Sequence, residues 1–69
     1  MEIFTKRLNE LIKEHGITKY RLAKDIKVNS QTISFWCSGT NEPKICYLKE
    51  LCTYFNVSAD YMIGLSDDE

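Results

Sequence analysis

The chain has 69 residues, of which 43% are hydrophobic and 28% charged, a composition that predicts a globular domain and excludes a disordered chain. No apolar run approaches about 18 residues, and the first residues lack the basic and apolar regions of a signal peptide, so we expect no membrane contact and a cytoplasmic location. The formal net charge is −1, yet residues 6–49 carry all nine basic residues against four acids, which is compatible with a surface facing a polyanion or with a solvated face.

Five segments have the apolar spacing of helices and none alternates as a strand does. We therefore predict one all-α domain over residues 1–69, with a core at about 4–65 and a short acidic tail at 66–69. The first helix ends at Gly16, Thr18 and Asn29 can cap the second and third, and Gly39 ends the third. The apolar positions that define these three helices are Phe4, Leu8, Leu11, Ile12, Leu22, Ala23, Ile26, Ile33, Trp36 and Cys37.

A loop at residues 40–43 separates the third helix from the fourth, because Asn-Glu-Pro is a turn signal. The fourth helix ends at Asn56, a residue type that tolerates the left-handed conformation. Ser58 can cap a short fifth helix, which Gly64 closes. The apolar positions of these two helices are Ile45, Leu48, Leu51, Cys52, Phe55, Tyr61, Met62 and Ile63.

The second and third helices are joined only by residues 27–29. Such a short connection forces the pair to cross steeply, with Val28 beneath the corner, and leaves the third helix projecting from the domain. A projecting helix about 10–12 Å across fits a major groove about 12 Å wide. Its outward side carries no charge and presents amides, hydroxyls and one aromatic ring, from Gln31, Thr32, Ser34, Phe35 and Ser38.

The three cysteines indicate neither a disulfide framework nor a metal site. Cys37, Cys46 and Cys52 are an odd number without a C-x-x-C pair, so we expect free thiols, with the first and third in the core and Cys46 exposed. His15 is the only histidine, too few for a zinc site, and its position at a helix end needs no catalytic explanation. We therefore predict no metal, no other cofactor, no small-molecule ligand and no enzymatic activity.

At this level of detail the chain resembles the Cro/CI-type (XRE-type) helix-turn-helix repressors of phages and bacteria, over residues 4–65. The ending V-S-A-D-Y-M-I-G-L at 57–65 is close to the V-S-x-D-Y-L-L-G that the family often shows. The other matching pieces are Arg7-Leu8-x-x-Leu11, Gly16-Ile17-Thr18, Leu22-Ala23, Val28, Thr32-Ile33-Ser34-x-Trp36-x-x-Gly39 and Pro43.

The resemblance implies a compact five-helix lambda-repressor-like domain, with the helix-turn-helix formed by helices 2 and 3. It implies sequence-specific binding of double-stranded DNA, repression of transcription, and a homodimer that reads a palindromic operator with its third helix in the major groove. The positions that match base contacts are Ser30, Gln31, Thr32 and Phe35. The positions assigned to phosphate contacts are Lys19, Arg21, Ser34, Ser38, Thr40 and Lys44.

Alternatives stay open for several of these residues. Lys19 and Arg21 lie in a first helical turn, where the helix dipole disfavours cations by about 0.3–1 kcal/mol unless a phosphate binds there. Both side chains can instead extend into water. Gln31 can pair with adenine N6 and N7 or be an ordinary surface residue. Phe35 can press against a thymine methyl group or fold back over the neighbouring helices.

The chain departs from the family pattern in two informative places. Lys27 stands where glycine is common, and a left-handed backbone there would cost about 1–2 kcal/mol. Ile12 and Cys37 replace an arginine and a glutamate that commonly form a partly buried ion pair. Because losing both charges together is often neutral, we predict that Ile12 and Cys37 touch. Arginine is also common where Phe35 stands, which weakens guanine readout.

A second function remains compatible with the sequence: a helical protein-interaction module, antitoxin-like or partner-binding, with weak or no DNA binding. Its support is the slight net acidity and the absence of arginine at position 35. For the homodimer we expect an exposed patch late in the chain, from Tyr54, Tyr61 and Leu65. The acidic residues 67–69 should point away from a bound duplex, because they would repel its phosphates.

Overall fold

The computed structural model describes residues 2–69, and within them it contains five α-helices and no strand. The predicted all-α, five-helix architecture is confirmed. No helix within this range is long and apolar enough to span a membrane. The helices are α1 (Glu2–Glu14), α2 (Lys19–Ile26), α3 (Ser30–Ser38), α4 (Ile45–Phe55) and α5 (Ala59–Ile63).

Three helices begin at the side-chain caps predicted from the sequence. The Thr18 hydroxyl accepts a hydrogen bond of 3.0 Å from the backbone N–H three residues later, and Ser58 does the same at 3.0 Å. Asn29 Oδ1 accepts one of 2.7 Å from the N–H two residues later. Each cap satisfies a backbone donor that the helix itself leaves unpaired, which defines where α2, α3 and α5 start.

Left-handed residues end the helices, two of them at non-glycine positions. Asn56 has φ 57°, as predicted, and Lys27 has φ 61° at the end of α2. Gly64 closes α5 at φ 89°, where an added Cβ would lie 2.9 Å from Ile3 Cγ2. At the end of α1, His15 Nδ1 lies 3.0 Å from the Leu11 carbonyl oxygen, consistent with the expected role at a helix terminus.

The core is formed by inward residues from all five helices. Trp36 is buried as predicted, and its ring centroid lies 5.8 Å from that of Tyr47. Of the cysteines, Cys37 is buried and Cys46 exposed as expected, whereas Cys52 is only half-buried. The fully buried large side chains are Phe4, Leu8, Leu11, Leu22, Ile33, Leu51 and Met62.

Ile12 and Cys37 are both buried in the core cluster, and the helices that carry them, α1 and α3, pack against each other. Next to them, the Asn9 amide donates hydrogen bonds of 2.9 Å to the carbonyl oxygens of Cys37 and Thr5. This placement supports the interpretation that an apolar pair replaces an ion pair here, and their direct contact stays a prediction.

The expected exposed patch of Tyr54, Tyr61 and Leu65 is wrong for one residue. Tyr61 is only 9% exposed, because it packs against α1 and the Arg7 guanidinium lies 4.2 Å from its ring centroid. Tyr54 is half-buried, and Leu65 is exposed as predicted.

Arg7 also fastens the chain after α5. Its side chain, 12% exposed, donates hydrogen bonds to the carbonyl oxygens of Tyr61 and Ser66, the latter at 2.7 Å, and forms an ion pair of 3.0 Å with Asp67. The last residue returns to α5, since the Ser58 N–H donates to the Glu69 oxygen at 2.6 Å. The acidic tail is therefore an ordered return along α5.

Candidate nucleic-acid interface

Residues 27–29 join α2 and α3 into a helix-turn-helix, and these two helices pack closely together. Lys27 turns the chain in the left-handed conformation, and the Val28 N–H donates a 2.9 Å hydrogen bond to the Ala23 carbonyl oxygen. Val28 is half-buried against the core, as the sequence predicted for the residue beneath the corner. The turn therefore sets the angle at which α3 leaves the domain.

The two sides of α3 differ as predicted. Ile33, Trp36 and Cys37 are buried and hold the helix on the core. Thr32 is half-buried at the edge of the outward side. That side is open to solvent along its whole length, and its exposed residues are Ser30, Gln31, Ser34, Phe35 and Ser38.

Gln31 is positioned in the first turn of α3 by the Asn29 cap, which binds its backbone N–H. Its side-chain amide is exposed, so both its donor and its acceptor are available to a ligand. Phe35, one turn further on, has 36% of its surface exposed. Its ring lies between the two predicted alternatives, partly covered by neighbours and partly presented to solvent.

The start of α2 presents a lysine and an aromatic ring. Lys19 is exposed at the first position of the helix, where backbone N–H groups favour an anion. Tyr20, 70% exposed, lies beside it and is not among the site residues predicted from the sequence. The sequence does place Tyr20 on the outward side of the first turn of a helix. That position could have indicated a phosphate contact, since tyrosine hydroxyls often donate to phosphate oxygens.

Arg21 has an intramolecular partner. Its Nε donates to Asp25 Oδ2 at 2.9 Å and Oδ1 at 3.2 Å, one helical turn towards the C-terminus of α2. Asp25 Oδ2 also accepts a 2.6 Å hydrogen bond from the Tyr54 hydroxyl on α4. The Tyr54 hydrogen bond and the Arg21 guanidinium lower the pKa of Asp25, against the effect of its partial desolvation. A phosphate contact by Arg21 stays a prediction.

The loop after α3 is organised by hydroxyl groups. Ser38 Oγ donates to the Phe35 carbonyl oxygen at 3.1 Å and lies 2.8 Å from Thr40 Oγ1. Lys44 is exposed at the end of the loop and lines one cleft with Thr32 and Glu42, so the start of α3 and the loop are neighbours. The loop thus carries both a cation and an acid next to the outward side of α3.

Lys6 is a further basic residue near this loop that the sequence analysis did not assign. It is exposed on α1 and lines a cleft with Ser38 and Gly39. Thr5, its neighbour, donates a hydrogen bond of 3.3 Å to the Trp36 carbonyl oxygen, which fastens the start of α1 to the end of α3. Only this packing brings Lys6 to the loop, because the two are more than thirty residues apart in the chain.

Two helices joined by a short turn, with an exposed polar side on the second, form the helix-turn-helix typical of small nucleic-acid-binding α-domains. Residues 8–62 match the family described as "Helix-turn-helix", and the chain belongs to this XRE-type helix-turn-helix family, which comprises transcription regulators and not enzymes.

The relatives agree with this family. The chain is 30% identical over 66 residues to YobD of Bacillus subtilis, an uncharacterized HTH-type transcriptional regulator, covering 96% of this chain and 59% of that protein. The fold of this chain matches that of a transcriptional regulator from Listeria innocua, with a TM-score of 0.83 and 36% identity. The match covers 88% of this chain and 57% of the other. The fold also matches the SOS-response transcriptional repressor LexA from Eubacterium rectale (TM-score 0.86, 34% identity, 90% and 66%).

These similarities confirm the lambda-repressor-like five-helix fold. The chain spans 57–66% of the length of the relatives it matches.

Proposed function

We propose that this chain is a sequence-specific, double-stranded DNA-binding domain of a transcription regulator. The observation that carries the proposal is the exposed, uncharged, hydrogen-bonding side of α3, held outward by the helix-turn-helix. Base edges in the major groove are read by such amide, hydroxyl and apolar groups. Repression is the activity we propose, because the LexA neighbour is named as a repressor and a domain seated in the groove can block other proteins.

Sequence readout is assigned to the first two turns of α3. Gln31 can donate to and accept from a single adenine, a contact that discriminates by about 1–3 kcal/mol. The hydroxyls of Ser30 and Thr32 flank it and can reach bases or phosphates. The exposed edge of Phe35 suits a thymine methyl group.

Phosphate contacts are assigned around that helix. Lys19 combines its charge with the N-terminus of α2, where an anion is favoured. On the other side, Ser34 and Ser38 on α3 offer hydroxyls, and Thr40 and Lys44 in the following loop offer a hydroxyl and a cation. Arg21 joins these contacts only where Asp25 releases its guanidinium.

We further propose that the domain acts as a homodimer on a palindromic operator, with half-sites about 34–36 Å apart. The support is an apolar groove on α4, lined by Ile45, which is 85% exposed, with Leu48, Cys52 and Val57. Lys49 is the one charged residue among those lining it. A second copy seated on the same groove about a two-fold axis would cover the exposed side chain of Ile45 in both copies.

The dimer is tested by sedimentation. We expect two copies on a palindromic duplex, and a single copy there as well as free in solution would contradict the dimer.

The free cysteines support the proposed cytoplasmic location, because reducing compartments keep thiols unpaired.

The experiment for DNA binding is selection of bound sequences from random duplexes, followed by titration at several salt concentrations. Lys19→Ala should weaken binding to all sequences and reduce the slope of log K against log salt by about 0.9. Its matched control is Lys24→Ala, an exposed lysine near the other end of α2, which should change the slope less. Gln31→Ala should instead change the preferred base at one step.

Absence of duplex binding even at low salt would contradict this proposal and favour the protein-interaction module. Two observations favour that alternative function: Asp25 neutralises Arg21, and the loop carries the acidic residue Glu42.

A further inference from the structure

Three hydrogen-bonded side chains, from Arg21, Asp25 and Tyr54, link α2 to α4. The Arg21 guanidinium is bound through Nε to both Asp25 oxygens, and the Tyr54 hydroxyl donates to Asp25 Oδ2 at 2.6 Å. The contact between Tyr54 and Asp25 joins residues 29 positions apart. The pair on α2 is therefore supported by a third group from a different helix.

The pair lies at a place where its charge matters. Arg21 is in the first turn of α2, and its backbone N–H donates to the Thr18 cap. This is the helix end at which Lys19 is assigned a phosphate. A free guanidinium there would bind any duplex, since phosphate contacts carry no sequence information. Asp25 opposes that attraction with an opposite charge 2.9 Å from Arg21 Nε. It also draws the Arg21 side chain towards the other end of α2.

Tyr54 gives the ion pair a third partner from α4. An exposed ion pair alone is worth little and exchanges with water and salt. Here the acceptor oxygen of Asp25 is shared with Tyr54, whose own ring packs edge-on against the buried Phe55 at 5.1 Å between centroids. The same hydrogen bond lowers the pKa of Asp25 and so favours its ionised form. Asp25 is thus held in place from the core side.

We propose that Asp25 is a specificity-determining residue, which masks Arg21 and limits the sequence-independent affinity of the domain for DNA. Tyr54 is a positioning residue that acts through Asp25. The inference rests on the proposed function. It assigns to α2 a restraint on phosphate binding, so that discrimination between operator and other DNA depends more on α3.

The test compares Asp25→Asn with the unchanged chain on random-sequence duplex. The asparagine keeps an acceptor for Tyr54 but releases Arg21, which becomes one further phosphate contact. We expect tighter binding to random duplex and a slope of log K against log salt that is steeper by about 0.9. With that slope, the advantage of the variant should fall about 3.5-fold between 50 and 200 mM salt. The ratio of operator to random-duplex affinity should fall as well.

Two controls separate masking from a general change of charge. Glu50→Gln removes an acid that lines the same cleft as Asp25 and should increase affinity less. In the double variant Arg21→Ala with Asp25→Asn, the gain should disappear, because no guanidinium remains to be released. Tyr54→Phe should show a smaller gain than Asp25→Asn, since Asp25 keeps its charge.

The inference is overturned if Asp25→Asn binds random duplex no more tightly than Glu50→Gln, or if the double variant keeps the gain. Failure of the proposed function has a different signature: the unchanged chain binds no duplex at low salt, and Lys19→Ala has no effect on binding.

Discussion

The left-handed residue between α2 and α3 allows a sharp test of how the turn is held. Lys27 has φ 61° and ψ 47°, and its backbone N–H donates to the Ala23 carbonyl oxygen. Its side chain is exposed and takes part in no hydrogen bond or ion pair within residues 2–69. Replacing it with glycine keeps the backbone hydrogen bond and removes, with the rest of this exposed side chain, the Cβ that makes the conformation unfavourable.

The expected gain follows from two opposing terms. A non-glycine residue in the left-handed region costs about 1–2 kcal/mol, which Lys27→Gly recovers. Glycine loses more conformational entropy on folding, which returns about 0.5–1 kcal/mol. The net expectation is a stabilisation of about 0.5–1 kcal/mol. For a domain of this size, that raises the melting temperature by about 2–8 °C.

Thermal and urea unfolding followed by circular dichroism measure this change. Asn56→Gly is the matched control at the end of α4, with φ 57°, and should gain less because asparagine tolerates the left-handed region. Lys24→Gly, inside α2, should lower the free energy of unfolding by about 1 kcal/mol, since the backbone at residue 24 is helical. A Lys27→Gly melting temperature that is unchanged or lower, with the same urea dependence, would refute the reasoning.

Two further predictions concern the core and the link between α2 and α4. Ile12→Arg should lower the melting temperature because the new charge would lie in the core without a partner, and a temperature unchanged or raised would contradict the predicted contact with Cys37. The lowered pKa of Asp25 should contribute stability that is present above its unfolded value of about 3.9 and is lost as the pH falls through the lower folded value. Tyr54→Phe should weaken this dependence of stability on acid pH. If the variant and the unchanged chain have identical unfolding curves from pH 2 to 7, the hydrogen bond from Tyr54 to Asp25 does not contribute as expected.

Local features of the fold were predictable from the sequence because they depend on neighbouring residues. The caps at Thr18, Asn29 and Ser58 act within three residues, and apolar spacing along a helix decides which side faces inward. The exposure of Gln31 and the burial of Trp36 follow from that spacing in α3.

Long-range contacts were not predictable in the same way. In the sequence, Arg7 is one residue of a motif and the acidic tail is expected only to point away from a bound duplex, yet the two meet across a separation of 60 residues. Tyr61 was assigned to an exposed patch because apolar groups are left over near the end of the chain, yet its ring is covered by the Arg7 guanidinium. Arg21 was left undecided between phosphate and water, and its partner Asp25 is itself held by a residue from another helix.

By itself the sequence determined the five helices, their caps and the uncharged side of α3, since each depends on residues a few positions apart. The tertiary structure decided which side chains remain available to a partner. Arg21 is neutralised by Asp25, and Tyr61 is covered by Arg7. The apolar surface that stays open lies on α4. The physical reason is that hydrogen bonds and burial between separate helices depend on how those helices pack, which no local spacing specifies.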